Sequence, residues 1–455
     1  MKKIQLIVTA KDTPYRMALL TDSDSILEST PDTYEKEVSS SKKIIKVKID
    51  YKKKCQKIIG FGGAFTVSSS EAMKGVSEPI RKKAMEAYFD TEKGIGYNFC
   101  RTHMGSCDFS LENYSYNDTS GDINMDCFSV ECDEKSILPM IKDAQMYRED
   151  LLLYSVPWSP PAWMKTNEEM SNGGKLKEEY KKAYALYFVK YLEEYQKRGV
   201  SIWGITPQNE PVEIQEWASC YYTAPEEADF IRNYLYPALY EHRLSDVKIM
   251  IWDSNKDQLY ERVAEMSKDL FLKHHIFGAA FHWYSGDYFD KLDAVHKDFP
   301  SMNMVSTESC VVFPENLEDW SIGERYGHEI IGDMNHWTNG YIDWNLFLNE
   351  KGGPNLADNY CASPIILDSE KNDLIYLNSY YYIGHFSKYI QRNSIRLACE
   401  TEEVEACAFL RPDNTLVTVI MNSSNLEVEI IVENGMEDIN LKMLPHSIYT
   451  ILLAE

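Results

Sequence analysis

The feature that most constrains this chain is an alternation that runs through its middle. Short β-rich stretches are separated by longer stretches with helical periodicity. Eight candidate strands can be read in order: 58–65 (IIGFGGAF), 97–106 (YNFCRTHMGS), 151–159 (LLLYSVPWS), 201–210 (SIWGITPQNE), 247–255 (VKIMIWDSN), 276–284 (IFGAAFHWY), 303–310 (NMVSTESC) and 341–348 (YIDWNLFL). Most of the intervening segments read as helices. In 178–198, apolar residues recur at helical spacing with charges between them. At 225–243 the helix is opened by Thr223-Ala224-Pro225-Glu226-Glu227, a cap candidate followed by proline and acidic residues. Eight such units predict an α/β protein built on a (β/α)8 TIM barrel rather than a doubly wound sheet. The phosphate-binding loop of the doubly wound fold is missing: Gly60-Phe61-Gly62-Gly63 is not GxGxxG, and there is no GK[ST]. Those glycines are expected to let the backbone turn tightly at a barrel mouth.

The two ends differ from the middle. Residues 1–55 carry short alternating runs such as Ile44-Ile45-Lys46-Val47-Lys48-Ile49. Residues 386–455 do the same at Thr415–Met421 and Leu426–Val432, with turn signals at Pro412-Asp413-Asn414 and Asn422-Ser423-Ser424. The expectation is a side β-sandwich assembled from both termini (1–55 and 386–455), with the barrel at 56–385. A chain of 455 residues suits that partition. Lys52-Lys53-Lys54 reads as a solvated strand edge or turn.

Charge narrows the possible partners. A net charge of −24 repels phosphate backbones and anionic lipid surfaces, so no nucleic acid and no membrane surface is expected as a partner. No run of eighteen apolar residues occurs, so no integral membrane segment is expected. The ten cysteines are scattered without a CxxC, which argues against a zinc site and a disulfide framework alike. The apolar run Ile4–Val8 is too short for a signal-peptide core. These features suggest a cytoplasmic protein, or a secreted one if a leader has been removed.

In a barrel enzyme the chemistry sits at the C-terminal strand ends. The fourth run closes with Asn209-Glu210-Pro211, and the seventh with Thr307-Glu308-Ser309-Cys310. Glu210 reads either as a proton donor at a partly desolvated strand end or as an exposed cap of the next helix. Glu308 reads either as its partner or as a buried carboxylate paired to a structural arginine. Taken together, two carboxyls facing a common centre are what glycoside cleavage needs. Aromatic residues end neighbouring runs: Trp158 the third, His282 and Tyr284 the sixth, Trp344 the eighth. They suit a sugar site, although any single Trp also suits a core. Arg101, in the second run, either holds a carboxylate ionised or forms an ordinary salt bridge.

The same strings, in this order, resemble glycoside hydrolase family 30, whose members include glucosylceramidases. They are Gly60–Ala64 (GFGGA), Gly94–Asn98 (GIGYN), Met104–Ser110 (MGSCDFS), Trp158–Asn167 (WSPPAWMKTN), Asn209-Glu210-Pro211, His282-Trp283-Tyr284, Thr307–Cys310 (TESC), Asp343-Trp344-Asn345, Gly352–Asn355 (GGPN) and Gly384–Lys388 (GHFSK). The resemblance implies a barrel with a side β-domain and a retaining double displacement that requires no metal and no organic cofactor. It assigns Glu210 as acid/base and Glu308 as nucleophile. It places Asn209, Trp158, Trp344, Tyr284 and Asn359 around the sugar of a β-glycoside. An exo-acting β-glycosidase is expected; the alternatives are an endo-acting β-glycanase and a non-catalytic carbohydrate-binding protein. The lipid aglycone of glucosylceramidases does not carry over, and oligosaccharides or small β-glycosides are expected instead.

Two positions depart from the family pattern. After Gly-Gly-Ala-x-Thr, glucosylceramidases have an acidic residue that binds sugar hydroxyls, whereas this chain has Val67. A buried hydroxyl opposite valine would cost ~1–3 kcal/mol. Either the glycone differs from glucose there, or another loop supplies the carboxylate. Thr102-His103 also replaces a residue-proline pair after Arg101, and His103 is expected to be a loop histidine rather than a subsite group.

Overall fold

The computed structural model describes residues 3–20, 44–435 and 438–454. The part of the N-terminal strand expectation that falls on 21–43 lies outside the described residues. All eight runs of the middle become strands: β1 Gly60–Phe65, β2 Phe99–Met104, β3 Leu152–Pro157, β4 Gly204–Ile205, β5 Lys248–Asn255, β6 Gly278–His282, β7 Asn303–Glu308 and β8 Thr338–Asn345. They close into a barrel in sequence order, β8 lying between β7 and β1. β4 is much shorter than its run because Thr206-Pro207 follows, and proline has no N–H for the ladder.

The glycines of β1 correct the sequence reading. They lie inside the strand and make no turn. A Cβ on Gly62 would sit 1.9 Å from the Phe99 carbonyl oxygen, and one on Gly63 would sit 2.9 Å from Leu346. Their role is close approach, of Gly62 to the neighbouring backbone and of Gly63 to the Leu346 side chain, not bending.

The helical segments follow from their caps and breaks. Lys181–Lys197 forms the long helix expected there. Ala224–Phe230 starts with a full capping box: the Thr223 side chain accepts from Glu226 N–H and the Glu226 carboxylate answers at Thr223 N–H. The expected helix at 225–243 then passes through a π turn at Ile231–Leu235 before continuing as Tyr236–Glu241. Pro237 cannot donate to the preceding turn, which accounts for the wider loop of backbone. Among the described residues no helix is long and apolar enough to cross a membrane.

The chain divides into two compact units. One takes the N-terminal segment through Gly60, Asn316–Asn339 and the segment from Tyr376 onward; the other takes Phe61–Glu315 and Gly340–Ile375. The first unit holds a nine-stranded sheet in the order Ala18–Leu20, Lys3–Ala10, Ser447–Ala454, Leu416–Asn422, Glu405–Leu410, Ile395–Thr401, Ile44–Lys57, Val428–Glu433, Ile439–Met443. Strand Ile44–Lys57 is the hinge of this sheet. It pairs with Val428–Glu433 through its first half and with Ile395–Thr401 through register shifts at Leu397, and such bulges bend a sheet. One apolar cluster then gathers Leu6 and Val8 from one side of the strand order and Ile430 and Leu441 from the other, which makes the β-sandwich. Lys52, Lys53 and Lys54 are exposed within the hinge strand.

Candidate active site

The site is built at the C-terminal ends of β2 to β8, all within the second unit. Arg101, on β2, is fully buried and is its centre. Its Nη1 donates to Glu308 Oε2. Its Nη2 donates to Asn209 Oδ1 at 2.7 Å and to Asp253 Oδ2 at 3.2 Å. Burial pulls the guanidinium down, but Asp253 and Glu308 pull it further up, so it stays charged.

Glu210, Glu308 and His282 converge: one oxygen of each carboxylate and one ring nitrogen all lie within 4.8 Å of one another. Glu210 is half-buried and takes a left-handed backbone, φ 47°. Its N–H donates to the Asp253 carbonyl at 2.9 Å instead of opening a helix, so the helix-cap reading is replaced. Glu308 ends β7, with Arg101 on one oxygen and the Tyr284 hydroxyl donating to the other at 3.0 Å. It is thus both the partner of Glu210 and the partner of an arginine.

His282 does not have the place expected for a sugar contact. It is fully buried at the end of β6, between Glu210 Oε1 (3.3 Å from Nδ1) and Asp253 Oδ1 (3.0 Å from Nε2). Burial opposes its charge, but Glu308, Asp253 and Glu210 push it up to about 9. A protonated imidazole has no lone pair for a metal. The Glu210–His282–Glu308 trio therefore has ligand spacing but already holds its cations in Arg101 and His282.

Trp158 and Trp344 are almost completely buried and stack on each other, with centroids 5.3 Å apart. The Arg101 guanidinium lies 4.9 Å from one ring and 5.2 Å from the other. Their faces are therefore spent inside the protein, and what they can offer a sugar is an edge. Asn359 stands apart: its backbone N–H and carbonyl bond to Asn355, and it makes no hydrogen bond to either glutamate.

Three residues of the site have no role that the sequence alone suggests. Asp253, at the end of β5, accepts from Tyr154 OH and Thr307 OH, both at 2.6 Å, as well as from Arg101. Burial raises it, yet Arg101 and His282 hold its carboxyl well below the usual range. The available signal is a lone aspartate in an apolar strand. Tyr154 looks like core. Asp108 lies in the MGSCDFS string without a function of its own. It is buried, its Oδ1 has no partner, and burial together with Glu308 and Glu210 pushes it up to about 8. Its loop docks beside Val67, since Ser68 N–H and Ser68 OH both donate to Phe109 O at 2.9 and 2.7 Å.

His103 is not the loop histidine expected: it lies inside strand β2, paired with Val156 of β3. It is fully buried, accepts the Val67 N–H on Nε2 at 3.2 Å and meets Gly105 O through Nδ1. Burial lowers it to about 4, so it is neutral and ties the first residue of helix Val67–Lys74 to Gly105, just past β2.

Comparison with known proteins places these features in a family. The glycosyl hydrolase family 30 TIM-barrel domain matches residues 58–390, and its β-sandwich domain matches residues 393–451. Lysosomal acid glucosylceramidase of Mus musculus is 35% identical over 404 residues, 84% of this chain and 78% of that protein. An endo-1,6-β-D-glucanase of Trichoderma harzianum is 28% identical over 401 residues, 82% of this chain and 79% of the other. The crystal structure of SrfJ from Salmonella typhimurium has a TM-score of 0.91 at 32% identity, covering 100% of both chains.

Proposed function

The chain belongs to glycosyl hydrolase family 30, and from that premise we propose that it is an exo-acting, retaining β-glycosidase. The observation that carries this reading is the carboxylate pair, with oxygens of Glu210 and Glu308 within 4.8 Å. Retaining enzymes hold the two groups at ~5–5.5 Å, whereas inverting enzymes leave ~6.5–9.5 Å for a water between them.

The roles follow from the partners. Arg101 and Tyr284 bond to the two oxygens of Glu308 and aim it, so it attacks the anomeric carbon. Glu210 protonates the leaving oxygen, and the negative charge that appears on it is matched by His282. A glycosyl ester on Glu308 results. Glu210 then takes a proton from water, which releases the sugar and restores Glu308. Asn209, with its side-chain oxygen taken by Arg101, keeps its amide N–H groups for a sugar hydroxyl. Asp108 supplies the carboxyl that Val67 does not. Asp108, Trp158 and Trp344 are all buried and close the floor around the pair, which suits a single terminal sugar. Tyr284, whose hydroxyl meets Glu308, stands beside the nucleophile. The unpaired, scattered cysteines suit a reducing compartment.

The name of the Trichoderma relative favours a second reading, endo-action on a β-1,6-glucan. One experiment separates the two. Chromogenic β-glucoside, xyloside, galactoside and fucoside are assayed beside β-1,6-linked gluco-oligosaccharides, with Glu308→Gln as control and a 2-fluoro glycosyl fluoride as trap. Turnover of a simple glycoside with retained configuration and a covalent label on Glu308 is the expected result. An inverted product would sink the double displacement. Cleavage confined to internal bonds would replace the exo reading.

A further inference from the structure

Strand β5 does something that its sequence resists. Trp252 and Asp253 are consecutive residues with side chains in the left-handed region, φ 78° and 59°. The pairing with β6 slips there, between Trp252 and Ser254. Such a conformation costs of order 1–3 kcal/mol per residue and persists only where the surroundings hold it. The slip has two effects at the site. It turns the Asp253 carboxylate toward Arg101, His282, Tyr154 and Thr307. It also leaves the Asp253 carbonyl to receive the Glu210 N–H.

What holds the slip is on the outer side of the strand. The Trp252 N–H, turned out of the ladder, donates to Glu227 Oε1 at 3.2 Å. The other oxygen of Glu227 accepts from Arg262 Nε and Nη2 at 3.0 and 2.7 Å. Arg262 Nη2 also donates to the Tyr222 carbonyl, and the guanidinium lies 5.4 Å from the centre of the Trp252 ring. Glu227 is fully buried and Arg262 nearly so. A buried ion pair is weak evidence for stability, since an apolar pair of the same volume commonly does as well. Here one oxygen is committed to a strained backbone that carries two site residues.

We propose that Glu227 and Arg262 are positioning residues of the active site: they clamp the bulge at Trp252 and, through it, set both the Asp253 carboxylate and the backbone of Glu210. Neither touches substrate. The inference rests on the glycosidase reading for its kinetic consequence but not for its structural one, so the test reads both.

The variant is Glu227→Gln, which keeps an acceptor for Trp252 N–H while removing the charge that orients Arg262; Glu227→Ala is the harsher companion. His282 reports the clamp without any substrate, through the NMR titration of its ring. The wild-type ring is expected to titrate near 9; in Glu227→Ala it should titrate at least one pH unit lower, and Glu227→Gln should fall between. With a substrate from the panel, kcat per trapped active site should fall at least tenfold in Glu227→Ala with KM changing less than threefold, and Glu227→Gln should recover part of it. In an Asp253→Asn background the same substitutions should cost less than they do in the wild type, because the carboxylate they orient is gone and only their hold on the Glu210 backbone remains. An unchanged His282 titration, or equal losses with and without Asp253, overturns the proposal. If Glu227→Ala does not fold, the Glu227→Gln titration and its cycle with Asp253→Asn decide alone. Failure of the wild type to turn over any glycoside would count against the glycosidase reading, and the His282 titration by itself would then support or overturn the clamp.

Discussion

Two histidines, both with no exposed surface, separate the barrel mouth from the terminal sheet. His385 lies in the first unit between the hydroxyls of Thr450 (2.8 Å) and Thr9 (2.9 Å), and burial alone drives it down to about 3. His282 lies in the second unit between two carboxylates and, against the same burial, is pushed up to about 9. Burial is therefore not what distinguishes a working site from a core. The difference is whether the protein has brought enough opposite charge to keep a buried group ionised. At the mouth, Arg101 and His282 stay charged and Asp253 ionised among the carboxyls of Glu210 and Glu308, and around His385 neutral hydroxyls suffice.

The strongest way to break that contrast is to remove the cation at its centre. Arg101→Met leaves Asp253 and Glu308 buried without a guanidinium. It should destabilise the fold by ~3–5 kcal/mol and lower kcat by roughly 10²–10³-fold. Urea denaturation at pH 7 and steady-state kinetics measure the two. A stability loss under ~1 kcal/mol would mean the mouth tolerates its carboxylates without Arg101.

The histidines themselves sharpen the comparison through pH. His282 binds its proton more tightly folded than unfolded, so its contribution is complete below about 6.5 and is lost as pH rises through about 9. His385 binds its proton less tightly folded, so stability is complete above about 6.5 and is lost as pH falls toward 3. Each effect is on the order of 3 kcal/mol or more. Denaturation midpoints of His282→Gln should approach wild type above pH 9, and those of His385→Gln should overtake wild type in acid. Parallel curves for the two variants would erase the distinction.

This difference also explains what is legible in the sequence. The barrel is readable because eight apolar strands separated by amphipathic helices leave few other topologies, and Glu210 and Glu308 are readable because they interrupt apolar strand ends. The groups that hold those glutamates are not. Asp253 gains its meaning from a slipped strand pairing that no periodicity announces, and Tyr154 is one tyrosine among 31. His282 is visible as a site residue but is assigned to the sugar, because a sequence shows that a histidine ends a strand and not which way its ring faces. The glycines of β1 suggest a turn because an approach between neighbouring strands cannot be seen in one of them. The sandwich is visible from both ends, while the grouping of Asn316–Asn339 with it emerges only in three dimensions.

Asp108 tests the contrast at a carboxyl with no cation of its own. Held near 8, it binds its proton more tightly folded than unfolded, so its ionisation costs stability as pH rises from about 4 to 8. Asp108→Asn should remove that cost and be more stable than wild type at pH 8, with the gap closing toward pH 4. It should also lose ~1–3 kcal/mol of transition-state binding, about 10–100-fold in kcat/KM, for a sugar whose hydroxyl it accepts. A variant as active as wild type would take Asp108 out of the glycone subsite.

The smallest effect is expected at Val67, where a carboxylate can be added instead of removed. Val67 is the first residue of helix Val67–Lys74, behind its Thr66 cap. An aspartate there meets the positive end of the helix and should stabilise it by ~0.3–1 kcal/mol. The Asp108 loop already docks on Ser68 next door, so a second carboxylate adds no new acceptor and raises the repulsion on Asp108. Val67→Asp should therefore alter kcat/KM on the best glycoside by less than about threefold, within the same ~1 kcal/mol, and shift the Asp108 titration upward. A tenfold gain on β-glucosides alone would reverse the argument: Val67, not Asp108, would then decide which sugar the mouth accepts, and the valine would be a selector against glucose.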